Sequence, residues 1–253
     1  MNFVGTAVTD IGIVKKTNQD SACIKIAKTP QQGEIAMAII CDGMGGLAKG
    51  ELASKTVIER FANWFEKELP KRLKSFTWEA LKAEWTKMIK EQNFKILEYG
   101  KSEGINLGTT FSAILIIGDK YMIAHVGDSR IYRIKDTIEQ LTEDQTFIAR
   151  ELKKGTMTPE QAAVDKRSNM LLQCVGASKE VEPAFYFGNI SPSTMFMLCS
   201  DGFRHVLSNE ELLANFQPNI TPEQMQQNSE QLVQTVKSRN ERDNITVALL
   251  KCM

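Results

Sequence analysis

Four aspartates stand where an apolar run meets a loop. Asp42 follows Ile39-Ile40-Cys41, Asp128 follows His125-Val126-Gly127, Asp201 follows Leu198-Cys199-Ser200, and Asp243 precedes Asn244-Ile245-Thr246. A strand end holds its side chain rigidly, so each carboxylate can project past a sheet edge. If the four ends lie together, the charges repel, and burying them unpaired is costly. A divalent cation removes that cost, and an all-oxygen donor set suits Mg²⁺ or Mn²⁺. Two ions sharing a carboxylate would activate water at a phosphoryl centre. Taken singly, Asp42-Gly43 or Asp201-Gly202 is an ordinary turn signal. The shared placement of all four is what points to a site.

Asp42 also decides how its own neighbourhood reads. The stretch Ile39 to Lys55 contains Gly43-x-Gly45-x-x-Ala48, which has the outline of a dinucleotide fingerprint between a strand and a helix. An acid before the first glycine would face the pyrophosphate. Gly45-x4-Gly50 is followed by Glu51 and not by Lys-Ser/Thr, so it is no P-loop either. The glycines fit better as servants of the acid. Gly45-Gly46 would let the backbone turn tightly before the helix.

The elements that must position these acids follow from periodicity. Residues 35–41, 110–117, 121–127, 130–134, 194–200 and 245–251 are short apolar runs that read as strands, with a hairpin turn at Ile117–Lys120. Most are continuously apolar, which predicts burial on both faces. Helices are predicted over 51–68, over 78–99 and after Thr221-Pro222, where Thr caps and Pro suits the first turn. Their aromatic stripes read as core. The order is strand, two long helices, hairpin-linked strands, flap, strand, helices, strand. It lacks βαβ alternation and predicts an α+β fold with mostly antiparallel strands. The polar piece from Asp144 to Val181 reads as a flap subdomain, placed at about 145–180, within one domain spanning 1–253.

Composition narrows the function classes. The 253 residues are 42% hydrophobic and 25% charged, with zero formal net charge. That gives no nucleic-acid footprint. Five scattered cysteines without C-x-x-C spacing argue against a disulfide framework and a structural zinc site, and Cys41 and Cys199 read as small core residues. There is no signal-peptide pattern and no apolar run of about 18 residues, so a cytoplasmic protein without a membrane span is expected.

Taken in order, the motifs resemble those of the metal-dependent protein phosphatases, the type 2C or PPM family in its bacterial form. They are GIVKKTNQDS (12–21), ICDGMGGLAKGELAS (40–54), LGTTFSAIL (107–115), HVGDSRIYRI (125–134), LTEDQTF (141–147), MLCSDG (197–202) and RDNITVALL (242–250). The resemblance implies a central antiparallel β-sandwich of two sheets flanked by helices, a four-layer α-β-β-α arrangement. It implies hydrolysis of phosphoserine and phosphothreonine by a hydroxide bridging two Mg²⁺ or Mn²⁺ ions. By position, Asp42 would bridge the ions and the Gly43 carbonyl would bind one. Asp201 and Asp243 would hold the other. Asp128 with Asp201 matches a third-metal position of bacterial members, and Asp20 would orient metal-bound water. Phosphorylated proteins are the implied substrates, with a bacterial serine/threonine kinase as partner.

Three positions depart from the pattern. Lys15 stands where the family has its phosphate-binding arginine, supplying charge without a bidentate fork. Gln19 replaces a glutamate. Met44 occupies the place of a histidine that many eukaryotic members carry, which leaves the general acid unassigned; His125 and His205 read as core or surface residues. Ser129 and Arg130 are expected to brace the Asp128 loop. Lys15 and Gln19 motivate a second reading, a phosphatase-like regulatory module that binds phosphorylated partners with little or no turnover.

Overall fold

A computed structural model describes residues 1–45, 49–167 and 170–253. The first half of the chain runs β1 (Phe3–Asp10), β2 (Ser21–Thr29), β3 (Gly33–Cys41), β4 (Gly43–Gly45), α1 (Gly50–Lys67), α2 (Leu69–Arg72), α3 (Trp78–Glu103), β5 (Leu107–Thr109) and β6 (Phe111–Ile117). It continues with β7 (Lys120–Val126), β8 (Arg130–Ile134), β9 (Ile138–Gln140), α4 (Phe147–Lys154), α5 (Pro159–Val164), β10 (Ala184–Asn189) and β11 (Thr194–Cys199). The last elements are α6 (Asp201–Arg204), α7 (Asn209–Asn215), α8 (Pro222–Ser238) and β12 (Ile245–Cys252).

The strands form two five-stranded sheets, ordered β1-β12-β11-β8-β9 and β10-β7-β6-β3-β2, and every pairing is antiparallel. The layering follows from side-chain alternation. On β3, Ile35, Met37, Ile39 and Cys41 pack with Phe61, Trp64 and Trp85 of α1 and α3, while Ala36, Ala38 and Ile40 face the other sheet. On β12, Ala248, Leu250 and Cys252 point inward between the sheets. Ile245, Val247 and Leu249 pack on Leu232, Val233 and Val236 of α8. Three hydrophobic layers therefore separate four structural ones, helices-sheet-sheet-helices, which is the expected β-sandwich.

The aromatic stripes are core, as read. Phe61 and Trp85 meet edge to face at 5.1 Å, and Trp64 and Trp85 at 5.5 Å. Caps bound the helices as their sequences demand. The Thr77 hydroxyl accepts from Ala80 N–H and Gly104 closes α3 in the left-handed region, while Thr221 and Gln224 form a capping box on α8. All five cysteines are free, and Cys41 and Cys199 are buried. No helix among the described residues is long and apolar enough to cross a membrane.

Three findings correct or extend the sequence reading. β1, β2 and β10 were not expected as strands. Each lies at a sheet edge with one face partly open, so its apolar residues are diluted by polar ones. Gly43–Gly45 forms an unexpected short strand, β4, paired with β5. Gly46, where the tight turn was expected, and Ala48, the last position of the apparent fingerprint, lie outside the described residues.

Candidate metal centre

The registers bring the acids to one end of the sandwich. Ser21 pairs with Cys41, Phe111 with Val126, Cys199 with Val247 and Asp10 with Ile245. Asp20, Asp42, Asp128, Asp201 and Asp243 are each the first or second residue beyond one of these strand ends. Asp20, Asp128 and Asp201 are buried, and Asp42 is half-buried.

Local hydrogen bonds fix the acid-bearing loops. Asp42 N–H donates to Thr110 Oγ1 (2.9 Å), and Asp42 O accepts from Thr110 N–H and Thr109 Oγ1, both at 2.9 Å. Gly43 N–H donates to Gln19 O (3.1 Å), joining the Asp42 loop to the Asp20 loop. A Cβ on Gly43 would overlap the carbonyl oxygens of Gln19 and Gly50, so only glycine allows this crossing. Asn244 ties a third loop in. Its Oδ1 accepts from Gln19 N–H (2.9 Å), and its Nδ2 donates to Ile11 O (2.9 Å) and Thr17 O (3.2 Å).

The charges do what crowded carboxylates must. Burial, then the charges of Asp20, Asp201, Asp128 and Asp243, hold the Asp42 carboxyl well above the usual range. Burial, then Asp201, pushes Asp128 up to about 7, against the pull of Arg204. Burial raises Asp20 to about 6; the nearby hydroxyls of Thr246 and Ser200 pull it back part of the way, and Asp201 and Asp243 add to the rise. Both carboxyl oxygens of Asp20 and Oδ1 of Asp201 are buried without a hydrogen-bond partner. Such groups are costly unless something of opposite charge meets them. Among the described residues, no three acidic, cysteine or histidine side chains close into a ready-made metal cage. The acids instead stand close enough to repel one another, with orphaned oxygens among them. An oxygen-only donor set of this kind fits Mg²⁺ or Mn²⁺.

Lys15 reaches the same acids. Its Nζ lies 2.7 Å from Asp243 Oδ1. Desolvation lowers its pKa, but the hydrogen bond and charge of Asp243, with the charges of Asp42 and Asp201, more than offset this and the pKa is raised. The Gln19 side chain turns the other way, 3.5 Å from Glu51 Oε2 and against Gly50. Ser129 braces the Asp128 loop, its hydroxyl 2.7 Å from Thr110 Oγ1 and its carbonyl accepting from Ser112 Oγ (3.0 Å). Arg130 forks onto Asp144 at 2.8 and 2.7 Å.

The histidines divide. His125 is buried between Ser112 Oγ at Nδ1 (2.8 Å) and the Glu143 carbonyl at Nε2 (3.0 Å), and burial drives its pKa down to about 4. It is a neutral core residue, as expected. His205 stands 3.7 Å from Asp201 Oδ2 and 3.4 Å from Glu241 Oε2. Glu241 Oε1 in turn accepts from Asp243 N–H (3.0 Å). This bridge was missed because its partners lie 36 residues apart in sequence. The roles of Thr110 and Asn244 were missed as well, though both stand inside the motifs quoted above.

Comparison with known proteins agrees with this geometry. The family model described as protein phosphatase 2C matches residues 13–237. A protein phosphatase 2C-type protein of Streptococcus pyogenes is 29% identical, covering 96% of this chain and 94% of its own. The serine/threonine phosphatase stp of Listeria innocua is 30% identical, covering 96% and 93%. The serine/threonine phosphatase of S. agalactiae superposes over 100% of both chains with a TM-score of 0.85 and 29% identity. The catalytic domain of the serine/threonine protein phosphatase PstP in complex with two manganese ions superposes over 98% of this chain and 97% of its own. Its TM-score is 0.78 and its identity 27%. The chain belongs to the protein phosphatase 2C family of metal-dependent phosphatases.

Proposed function

We propose that the chain is a protein serine/threonine phosphatase that removes phosphate from phosphoserine and phosphothreonine at the acidic end of the sandwich. The observation that carries this reading is the set of five aspartates, with orphaned buried oxygens, gathered from loops of both sheets. Two ions, Mg²⁺ or Mn²⁺, would be held by Asp42, the Gly43 carbonyl, Asp201 and Asp243. A third would sit at Asp128 and Asp201. When bound, the ions supply an activated water and neutralise charge developing on the phosphoryl group.

The chain's own residues do the rest. Asp42 is held by Thr109 and Thr110, so its carboxylate is aimed before substrate arrives. Asp20, buried and acting from behind, orients water. Lys15 offers the cation that meets a substrate phosphate, as a point charge and not a fork. The segment at about 145–180 is a flap beside this site that selects substrate, within one domain spanning 1–253. Phosphorylated proteins are the substrates, and a serine/threonine kinase with its targets is the partner. The cytoplasm is the proposed location.

The regulatory-module reading has less support, since a module that only binds gains nothing from five mutually repelling acids. The test is Mn²⁺-dependent hydrolysis of an aryl phosphate, with Asp42→Ala as control. Turnover unaffected by that substitution, or absent in the wild type, would sink the enzyme reading. A phosphopeptide panel then separates serine/threonine from tyrosine preference. Autophosphorylated kinase, used as substrate, tests the partner.

A further inference from the structure

The loop between β1 and β2 carries Ile11, Ile13 and Val14 at the surface, exposed by 39%, 48% and 51%. Single exposed aliphatics are ordinary. Three within four positions are not scattered, and this loop is pinned against the acids. Gly12, at φ +79°, packs so closely that a Cβ there would overlap the Asp243 carbonyl oxygen. Gly12 N–H donates to Asp10 Oδ1 (2.7 Å), and Asp10 Oδ2 meets Lys237 of α8 at 3.0 Å. Asn244 holds Ile11 O and Thr17 O, and Lys15 reaches Asp243. The backbone is therefore fixed while the apolar side chains stay in water.

Position says what would cover them. Val14 and Ile13 precede by one and two residues the lysine that meets the acids. Gly12 packs against Asp243, so its neighbours Ile11 and Ile13 flank the acids at which a phosphorylated side chain would be seated. We infer that Ile11, Ile13 and Val14 form an apolar lip that grips an apolar substrate residue next to the phosphoserine or phosphothreonine. The inference rests on the phosphatase reading and adds a substrate class to it. Because the loop is already ordered, binding there loses little conformational entropy.

The test uses two phosphothreonine peptides that differ only in leucine or serine beside the phosphorylated residue. kcat/KM is measured for both with Mn²⁺, and an aryl phosphate serves as the reference substrate. The wild type is expected to favour the leucine peptide by about ten-fold, the size of effect an apolar contact gives. The double variant Ile13→Ser, Val14→Ser should reduce that preference to about two-fold or less. Its melting curve verifies the fold. A wild type without the preference, or a variant that keeps it, overturns the inference while leaving the phosphatase reading intact. No Mn²⁺-dependent turnover of any substrate overturns both. If sedimentation shows a wild-type dimer that the variant loses, and the peptide preference does not move, the lip belongs to a second copy of the chain and the inference is also overturned.

Discussion

The acidic end of the sandwich and the segment carrying α4 and α5 are built on opposite principles. The acids stand on loops cross-tied by Thr110, Asn244 and Gln19, and all but Asp20 stand at the ends of strands that are buried on both faces. Neither α4 nor α5 buries a single residue. That segment is held at its ends, by Gln145 N–H to Gly127 O (2.8 Å) and by the pair of backbone bonds between Thr109 and Val175 (2.8 and 2.9 Å). Within it, Arg167 stacks on Phe147 at 4.0 Å. The proposed metal centre thus sits on the stiff part, and the proposed flap on the lightly packed part, where change costs little stability.

The largest expected break in this contrast is Asp42→Asn. Metal-dependent turnover should fall by about 10³-fold or more. The fold should survive, and without metal the variant should melt a few degrees higher because one repelling charge is gone. Calorimetric metal titration and a melting curve together check both halves.

His125 joins the two regions, since it sits on β7 and bonds the Glu143 carbonyl at the start of the segment. Its folded pKa of about 4 lies below the ordinary value of 6.5. The folded state therefore binds fewer protons than the unfolded one between those values. The associated stability is present above about pH 6.5 and is lost as pH falls toward 4, about 3 kcal/mol in all. Urea unfolding at pH 7 and pH 4.5 measures it, and His125→Gln should flatten the dependence. The carboxylates have the opposite sign. Asp20 and Asp128 are raised to about 6 and about 7, so without metal their contribution falls as pH rises from about 4 toward 7. Chelation should expose that loss in the melting temperature at pH 7.5, and Mn²⁺ should reverse it.

A smaller effect belongs to Lys15. Lys15→Ala should lower kcat/KM for phosphopeptides by about ten-fold, mostly through KM, while Lys15→Arg should retain activity. The smallest belongs to the segment: Phe147→Ala should change global stability by no more than about 0.5 kcal/mol, measured by urea unfolding. A loss of several kcal/mol there would erase the proposed contrast.

How legible each part was follows from burial. β3, β6, β7, β11 and β12 are covered on both faces, so their sequences are unbroken apolar runs that announce themselves. β1, β2 and β10 are edge strands, whose half-open faces leave no clear period. Asp42, Asp128, Asp201 and Asp243 were legible because their strand ends are visible and aspartate is chemically loud, whereas Asp20, ahead of the unread β2, came only through the family resemblance. Asn244 was not legible, because an asparagine that ties three loops looks in sequence like any turn residue. His205 and Glu241 become partners only once α6 and the loop before β12 meet.

One feature of the topology governs when the site can exist. β12 lies between β1 and β11, so the last strand of the fold completes a sheet begun by the first. Asp243 and Asn244 arrive with it. During synthesis, four of the five acids emerge long before the fifth, and β1 waits for its neighbour until nearly the whole fold has been made. A ribosomal product released before residue 243 therefore has neither a closed first sheet nor a complete set of acids. The site can assemble only once the strand that follows Asp243 has been made.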